Sequence, residues 1–240
     1  MPKAFVMSET SVAILSTKNI DEALINMTAS KNIFIEVLSF IRTEPVVSVE
    51  VQQEIELAMN QYATVVFTSA QAVEIVFAEL HDEIPDWKIF CISHATCDAA
   101  TNYFGEQSIE GTADNAQDLA QLIIDRENVD ELFFFCGDQR RSELPDLLSN
   151  HGIDVNEIVV YQTIATPHEV GKNYHGILFF SPSAVRSFFH KNKLKSEAVL
   201  FAIGNTTANE IRKFSKNKII ISDEPNTQTL LNEVMSYFSN

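Results

Sequence analysis

Serines and threonines cluster where apolar, strand-like runs give way to helical patterns. The clearest case is Phe-Phe-Ser-Pro-Ser-Ala-Val-Arg at residues 179–186, where Ser181 or Ser183 can cap a helix and Pro182 suits its first turn. The unpaired N–H groups and the dipole at such a helix start favour a negative charge. This turn therefore predicts contact with an anion.

Three further turns have the same character, and ordinary helix capping explains any one of them. Ligands of open α/β sheets bind outside the carboxyl ends of the strands, so four such turns together favour a ligand site. The polar residues of the three further turns are Thr68, Ser69, Ser93, Thr96, Thr206 and Thr207.

The turns belong to an internal duplication. Ser181 follows Ser69 by 112 residues (181 − 69), and Thr207 follows Thr96 by 111 (207 − 96). Leu230 follows Leu119 at the same offset of 111 (230 − 119). A period of this length is too long for a solenoid and predicts two copies of domain size.

Tyr161 lies in the strand-like run Val-Val-Tyr-Gln-Thr, next to a segment that we interpret as a crossing between domains. It is either an aromatic residue of a half-buried strand or a phenol placed to donate a hydrogen bond or a proton. Arg140 and Arg141 are likewise either solvated or a clamp for a carboxylate.

The sequence predicts neither a metal nor a nucleotide cofactor. The six histidines lack paired spacing, and there is no Gly-x-Gly-x-x-Gly run or P-loop. The absence of a Gly-x-Ser-x-Gly nucleophile elbow argues against a hydrolase. Cys91, Cys97 and Cys136 are odd in number and lack ligand spacing, so we expect reduced, structural cysteines in a cytoplasmic protein.

The net charge of −16 argues against nucleic acid and against an anionic membrane surface as partners. It does not exclude an anionic small molecule, which backbone N–H groups can bind locally. No apolar run approaches the roughly 20 residues that span a membrane. Residues 1–11 lack the basic start and apolar stretch of a signal peptide.

Helix-like and strand-like stretches alternate along the chain, which predicts an α/β protein with parallel sheets. A weak strand is expected near residues 107–109, before a helix at 114–127. Two more β-α-β units, at about 17–43 and 137–163, have the same length. We therefore expect two similar domains with a cleft between them, although the pattern does not say which unit joins which sheet.

Four runs resemble uroporphyrinogen-III synthases, and the resemblance covers nearly the whole chain. They are Phe-Thr-Ser-Ala-Gln-Ala-Val, Val-Tyr-Gln-Thr, Phe-Ser-Pro-Ser-Ala-Val and Ala-Ile-Gly-Asn-Thr-Thr-Ala. The resemblance implies two flavodoxin-like parallel-sheet domains joined by a two-stranded β ladder. Residues 1–37 and 168–240 would form one domain, 47–160 the inserted domain, and 38–46 and 161–167 the linker strands.

The resemblance also implies a reaction without metal or cofactor. The linear tetrapyrrole hydroxymethylbilane is closed to uroporphyrinogen III, with inversion of ring D and loss of water. Tyr161 is the candidate to assist departure of the hydroxyl group, and a monomer is expected. The carboxylates of the substrate accord with the anion-binding turns, which gives as substrate-binding residues Thr68, Ser69, Thr96, Ser181, Ser183, Thr206, Thr207 and Lys18.

Three positions depart from the family pattern. Lys18 stands in place of an arginine, which keeps the charge but loses the planar fork. Ser93 replaces a glycine, and Cys136 replaces an arginine, so one expected cation is missing. The alternative to an enzyme is a non-catalytic two-domain protein that binds an anionic small molecule, because a cleft and anion-binding turns need not carry chemistry.

Overall fold

The computed structural model describes residues 11–81, 83–92, 95–126, 128–194 and 197–239. The strands are β1 Val12–Ser16, β2 Ile33–Val37, β3 Ile41–Pro45, β4 Ala63–Phe67, β5 Trp87–Ile92, β6 Ile109–Ala113, β7 Glu131–Gly137, β8 Asp154–Ala165, β9 Gly176–Phe179, β10 Val199–Ala202 and β11 Ile219–Ile221. The helices are α1 Glu22–Ala29, α2 Val49–Met59, α3 Ala70–Glu79, α4 Ala95–Phe104, α5 Ala116–Ile124, α6 Glu143–Asn150, α7 Pro182–Lys191, α8 Asn205–Arg212 and α9 Thr227–Phe238.

The chain divides into two compact units. Met1–Arg42 and Ile164–Asn240 form the discontinuous unit, and Thr43–Thr163 forms the inserted unit. Each unit has its own largely parallel sheet, which confirms the predicted α/β class. The unit β1-α1-β2 joins the second copy of the duplication, and β7-α6-β8 joins the first.

The sheet of the discontinuous unit has the order β11-β10-β9-β1-β2 in the part of the chain that the structure describes. Counted along this unit from the other edge, the order is 2-1-3-4-5, which is that of flavodoxin-like folds. Its strands pair in parallel, as in the register of Ile14 with Ile35 and with Gly176. Buried apolar clusters lie on both faces, as parallel sheets require.

The sheet of the inserted unit has the order β3-β8-β7-β4-β5-β6 in the described residues. The copies coincide here, because β6, β5 and β4 hold the places that β11, β10 and β9 hold in the other sheet. Strand β3 runs antiparallel to β8: the N–H of Val46 donates to the carbonyl of Val160, and that of Thr166 to the carbonyl of Phe40, both at 2.9 Å. This pair is the two-stranded ladder that the resemblance implies.

The helices cover the sheets with apolar faces that match between the copies. α5 buries Leu119 and Ile123, while α9 buries Leu230 and Val234 at equivalent positions. Within the described residues, none of the helices combines the length and the hydropathy needed to cross a membrane.

The strand predicted near 107–109 was placed wrongly. A 3-10 turn occupies Glu106–Ser108, and the strand β6 follows it. Gly105, with φ of +88°, starts this turn, and the N–H of Ser108 donates to its carbonyl at 3.2 Å. Because β6 is a partly exposed edge strand, its sequence Ile-Glu-Gly-Thr-Ala lacks the apolar run that marks the inner strands.

The first residue of β9 tests the packing of the discontinuous unit. A Cβ on Gly176 would lie 2.9 Å from Cδ1 of Ile14 and 2.9 Å from Cε2 of Phe201. We expect Gly176→Ala to lower the free energy of unfolding by about 1–3 kcal/mol through overpacking. Gly171→Ala is the matched control, because no described atom lies within 4 Å of its Cβ position. Urea denaturation compares the two variants, and equal stabilities would contradict the packing argument.

Candidate functional site

Each sheet has a switch point, where the connections of two neighbouring strands leave in opposite directions. It lies between β1 and β9 in the discontinuous unit and between β7 and β4 in the inserted unit. Ligands of open α/β sheets bind outside the carboxyl ends of the strands at such a point. The predicted residues Lys18 and Ser181 follow β1 and β9, and Ser69 follows β4.

In the inserted unit, Tyr161 and Ser69 meet. The phenol of Tyr161 donates a hydrogen bond to Oγ of Ser69 at 3.1 Å. Ser69 occupies the N-cap position of α3, but its hydroxyl makes no capping hydrogen bond among the described residues. Simple capping therefore does not account for this serine, and Thr68 precedes it in the same turn. Tyr161 is half-buried, with its ring against the core and its hydroxyl at the sheet edge.

The remaining turn of this unit follows β5, one strand further from the switch point. Thr96 lies in the first turn of α4 and is buried. Ser93 lies outside the described residues. Thr96 thus lies in the helix that follows β5, the strand next to β4, and Ser69 follows β4.

In the discontinuous unit, Ser181 is a structural cap. Its Oγ accepts a hydrogen bond from the N–H of Ala184 at 3.1 Å, and Pro182 begins α7. The hydroxyl of Ser183 accepts a hydrogen bond from Nη2 of Arg186 at 3.4 Å. The turn thus combines a capped helix start with a guanidinium group one turn into the helix.

Lys18 lies at the same switch point. The hydroxyl of Thr17 donates to the carbonyl of Leu178 at 2.7 Å, which ties the end of β1 to β9. The side chain of Lys18 is exposed, and its Nζ lies 5.8 Å from the ring centroid of Phe180. A cation is therefore present at this edge despite the loss of the expected arginine.

Thr206 and Thr207 lie in the first turn of α8, which follows β10, and they differ in exposure. Thr207 is buried, whereas Thr206 is exposed. Only Thr206 of this pair presents its side chain to solvent at the sheet edge.

The contacts of Arg140 and the burial of Cys136 bear on two sequence observations in the inserted unit. Arg140 forms an ion pair with Glu157 of β8. Its guanidinium group therefore binds a carboxylate of this chain and is not simply solvated. Cys136 is buried in the core cluster that includes Leu144 and Leu148. Burial raises the pKa of its thiol to about 12, so Cys136 stays neutral and supplies no charge.

Sequence reasoning missed a charged network between α7 and α8. The buried Glu210 binds Nζ of Lys213 at 2.6 Å and lies 3.6 Å from Nη1 of Arg186. The hydrogen bond from Lys213 holds the pKa of the Glu210 carboxyl below its ordinary value against the opposing effect of burial, and the charges of Lys213 and Arg186 act in the same direction. The spacing of residues 210 and 213 could have suggested the first contact, but the second depends on helix packing.

A cavity of about 400 Å³ in the inserted unit lies at the other end of the strands. Tyr62, Lys88 and Arg126 are among its lining residues, and the predicted site residues are not. It opens near the amino ends of β4, β5 and β7, away from Tyr161. Among the residues described, no group of histidine, cysteine, aspartate and glutamate is arranged to hold a metal ion.

The Glu210 network predicts a pH-dependent contribution to stability. A carboxyl whose pKa is lowered by folding stabilises the protein above its unfolded pKa, near 4.5, and this contribution disappears as the pH falls through the folded pKa. Glu210→Gln should therefore lower the free energy of unfolding at pH 7 by about 1–3 kcal/mol, and the deficit should vanish in acid. Denaturation from pH 7 to pH 3 measures this, with exposed Glu56→Gln as control; a constant deficit would contradict the ion-pair explanation.

Comparisons with known proteins agree with one another. Residues 33–232 match the family model described as uroporphyrinogen-III synthase HemD. A mutant uroporphyrinogen III synthase from Thermus thermophilus aligns with a TM-score of 0.65 at 12% identity, over 95% of this chain and 98% of that one. The uroporphyrinogen-III synthetase from Helicobacter pylori 26695 aligns with a TM-score of 0.65 at 16% identity, over 94% and 99%.

At these identities the structural likeness establishes the fold, whereas the family model carries the assignment. The model spans most of the chain, including the turns after β4, β5, β9 and β10 and the strand that bears Tyr161. This chain belongs to the uroporphyrinogen-III synthase family.

Proposed function

We propose that Tyr161 is the residue that assists loss of water as this enzyme closes hydroxymethylbilane to uroporphyrinogen III. The single observation behind this assignment is the 3.1 Å hydrogen bond from the Tyr161 phenol to Ser69 at a switch point. In the reaction, the hydroxyl group on the ring A carbon departs as water, and ring D attacks the azafulvene carbon that remains. The phenol donates a hydrogen bond or its proton to the departing oxygen.

The substrate-binding residues in this proposal are those of the four turns together with Lys18. Helix starts at α3, α4, α7 and α8 offer N–H groups for the substrate carboxylates, and Lys18 adds a cation. The enzyme acts mainly by holding a flexible chain curled so that ring D can reach the reacting carbon. The set is Thr68, Ser69, Thr96, Ser181, Ser183, Thr206, Thr207 and Lys18.

The finer organisation of the molecule belongs to the same proposal. We take residues 1–37 and 168–240 as one domain, 47–160 as the other, and 38–46 and 161–167 as the linker strands. We also propose a cytoplasmic monomer that needs no nucleic-acid partner. The negative charge of the chain supports the last point, because nucleic-acid binding relies on neutralising phosphates with lysine and arginine.

The decisive assay uses freshly prepared hydroxymethylbilane and separates the product isomers. Conversion to the type III isomer is expected, because spontaneous closure without inversion of ring D gives type I. Type I product alone would instead identify a non-catalytic binding protein, the alternative that the family assignment does not favour.

The tyrosine is tested against the serines of the turns. Tyr161→Phe should lower kcat by about tenfold or more, since it removes a donor at the reacting centre. Ser183→Ala is the matched control and should cost less, because backbone N–H groups at the start of α7 survive the change. Isomer-resolved initial rates measure both variants, and a Tyr161→Phe enzyme with wild-type kcat would remove the tyrosine from the mechanism.

The cation at the other switch point should affect binding more than chemistry. Lys18→Gln removes an exposed charge, so KM should rise by about three- to tenfold while kcat changes little. The increase should shrink as salt is added, because an exposed charge is screened. Lys88→Gln, on the amino half of β5, is the control; equal effects of the two changes would argue against a local role for Lys18.

A further inference from the structure

We propose that Gly137 is a positioning residue: the missing side chain at the end of β7 leaves the space through which the Tyr161 ring reaches Ser69. The inference deepens the proposed role of Tyr161 and rests on it for its catalytic consequence. Its geometric part rests only on contacts within the inserted unit.

The sheet order creates the need for this space. Tyr161 is on β8 and Ser69 follows β4, while β7 lies between these two strands. Neighbouring strands are about 4.8 Å apart, so the phenol has to cross the end of β7 to meet the serine. Any side chain on β7 at that point would stand in its way.

Gly137 is at that point. Between Cys136 and Gly137 the register shifts, so that Cys136 pairs with Val159 but Gly137 pairs with Tyr161. A Cβ on Gly137 would lie 2.5 Å from Cε2 and 2.7 Å from the phenol oxygen of Tyr161, and closer still to Cζ. The ring of Tyr161 therefore covers the position that a side chain would fill.

Backbone conformation does not explain the glycine. Among the described residues, the glycines with positive φ are Gly105 and Gly152, so Gly137 has a conformation open to other residues. The three nearest atoms to its Cβ position all belong to Tyr161. Glycine is therefore needed at position 137 because the Tyr161 ring occupies the space that a side chain would fill.

Asp138 fixes the backbone around the tyrosine. Its N–H donates to the carbonyl of Tyr161 at 3.0 Å, and its Oδ1 accepts from the N–H of Thr163 at 2.8 Å. The part of β8 from Tyr161 to Thr163 is therefore held by the residue that directly follows β7. Gly137 leaves room for the Tyr161 ring, and Asp138 fixes the backbone of β8 from which that ring extends.

The test is a double-mutant cycle with three readouts: kcat and KM, the melting temperature, and the NMR signal of tyrosine labelled with ¹³C at Cζ. The Tyr161 signal is identified by its loss in Tyr161→Phe. Gly137→Ala should shift this signal and lower kcat by about tenfold or more, with a smaller change in KM, because misplaced groups lose rate. In a Tyr161→Phe background, the same change should lower kcat by less than about twofold, since coupled residues are not additive.

Steric coupling is tested separately with Tyr161→Ala, which removes the ring. Gly137→Ala should lower the melting temperature when the tyrosine is present and leave it unchanged in the Tyr161→Ala background. If Gly137→Ala alone does not fold, folding of Gly137→Ala/Tyr161→Ala supports the proposal, and failure of the double variant overturns it. Gly171→Ala, in open surroundings, is the control for a glycine change.

The outcomes separate the two proposals. An unshifted Tyr161 signal with unchanged kcat in Gly137→Ala overturns the positioning role, as does an equal loss of melting temperature in both backgrounds. Wild-type kcat in Tyr161→Phe would instead reject the tyrosine as the acid. The NMR signal and the melting temperatures would then still decide whether Gly137 positions its ring.

Discussion

Parallel strands can be joined only by crossover connections, and this constraint shapes both sheets. Each sheet therefore has one switch point, where the crossovers from two neighbouring strands run in opposite directions. At that place the carboxyl edge of the sheet is uncovered. The strand ends that meet there carry Lys18 and Ser181 in one unit, and Gly137 and Ser69 in the other. The long strand β8 brings Tyr161 to the second of these places, beside the end of β7.

The duplication supplied the same turn twice, and the side chains have diverged. Ser181 caps α7, whereas the equivalent Ser69 receives the phenol of Tyr161 and leaves α3 without a side-chain cap in the described structure. Five residues further on, Arg186 in one copy corresponds to Glu74 in the other (186 − 74 = 112). The equivalent turns therefore carry different side-chain arrangements, with an arginine near one turn and a hydrogen-bonded pair of hydroxyl groups at the other.

The features that local sequence patterns encode were predicted from the sequence. Alternating apolar runs predicted the α/β class, and Ser-Pro-Ser predicted the cap of α7. Strand β6 was misplaced because an edge strand of mixed polarity carries no apolar signal. The functions of Gly137 and Glu210 could not be predicted, since one depends on a register shift and a strand order, and the other on how α7 packs against α8.

For an acidic chain that acts on a polycarboxylate, the positions of the positive charges matter more than their number. Arg126 and Arg140 each pair with a carboxylate in the inserted unit, so their charges are largely offset. In the discontinuous unit, Arg186 and Lys213 are two cations that share the carboxylate of Glu210 beside the Ser183 turn. Because attraction follows the local potential and not the total charge, a net charge of −16 does not by itself exclude anions from the edge where Lys18 is exposed.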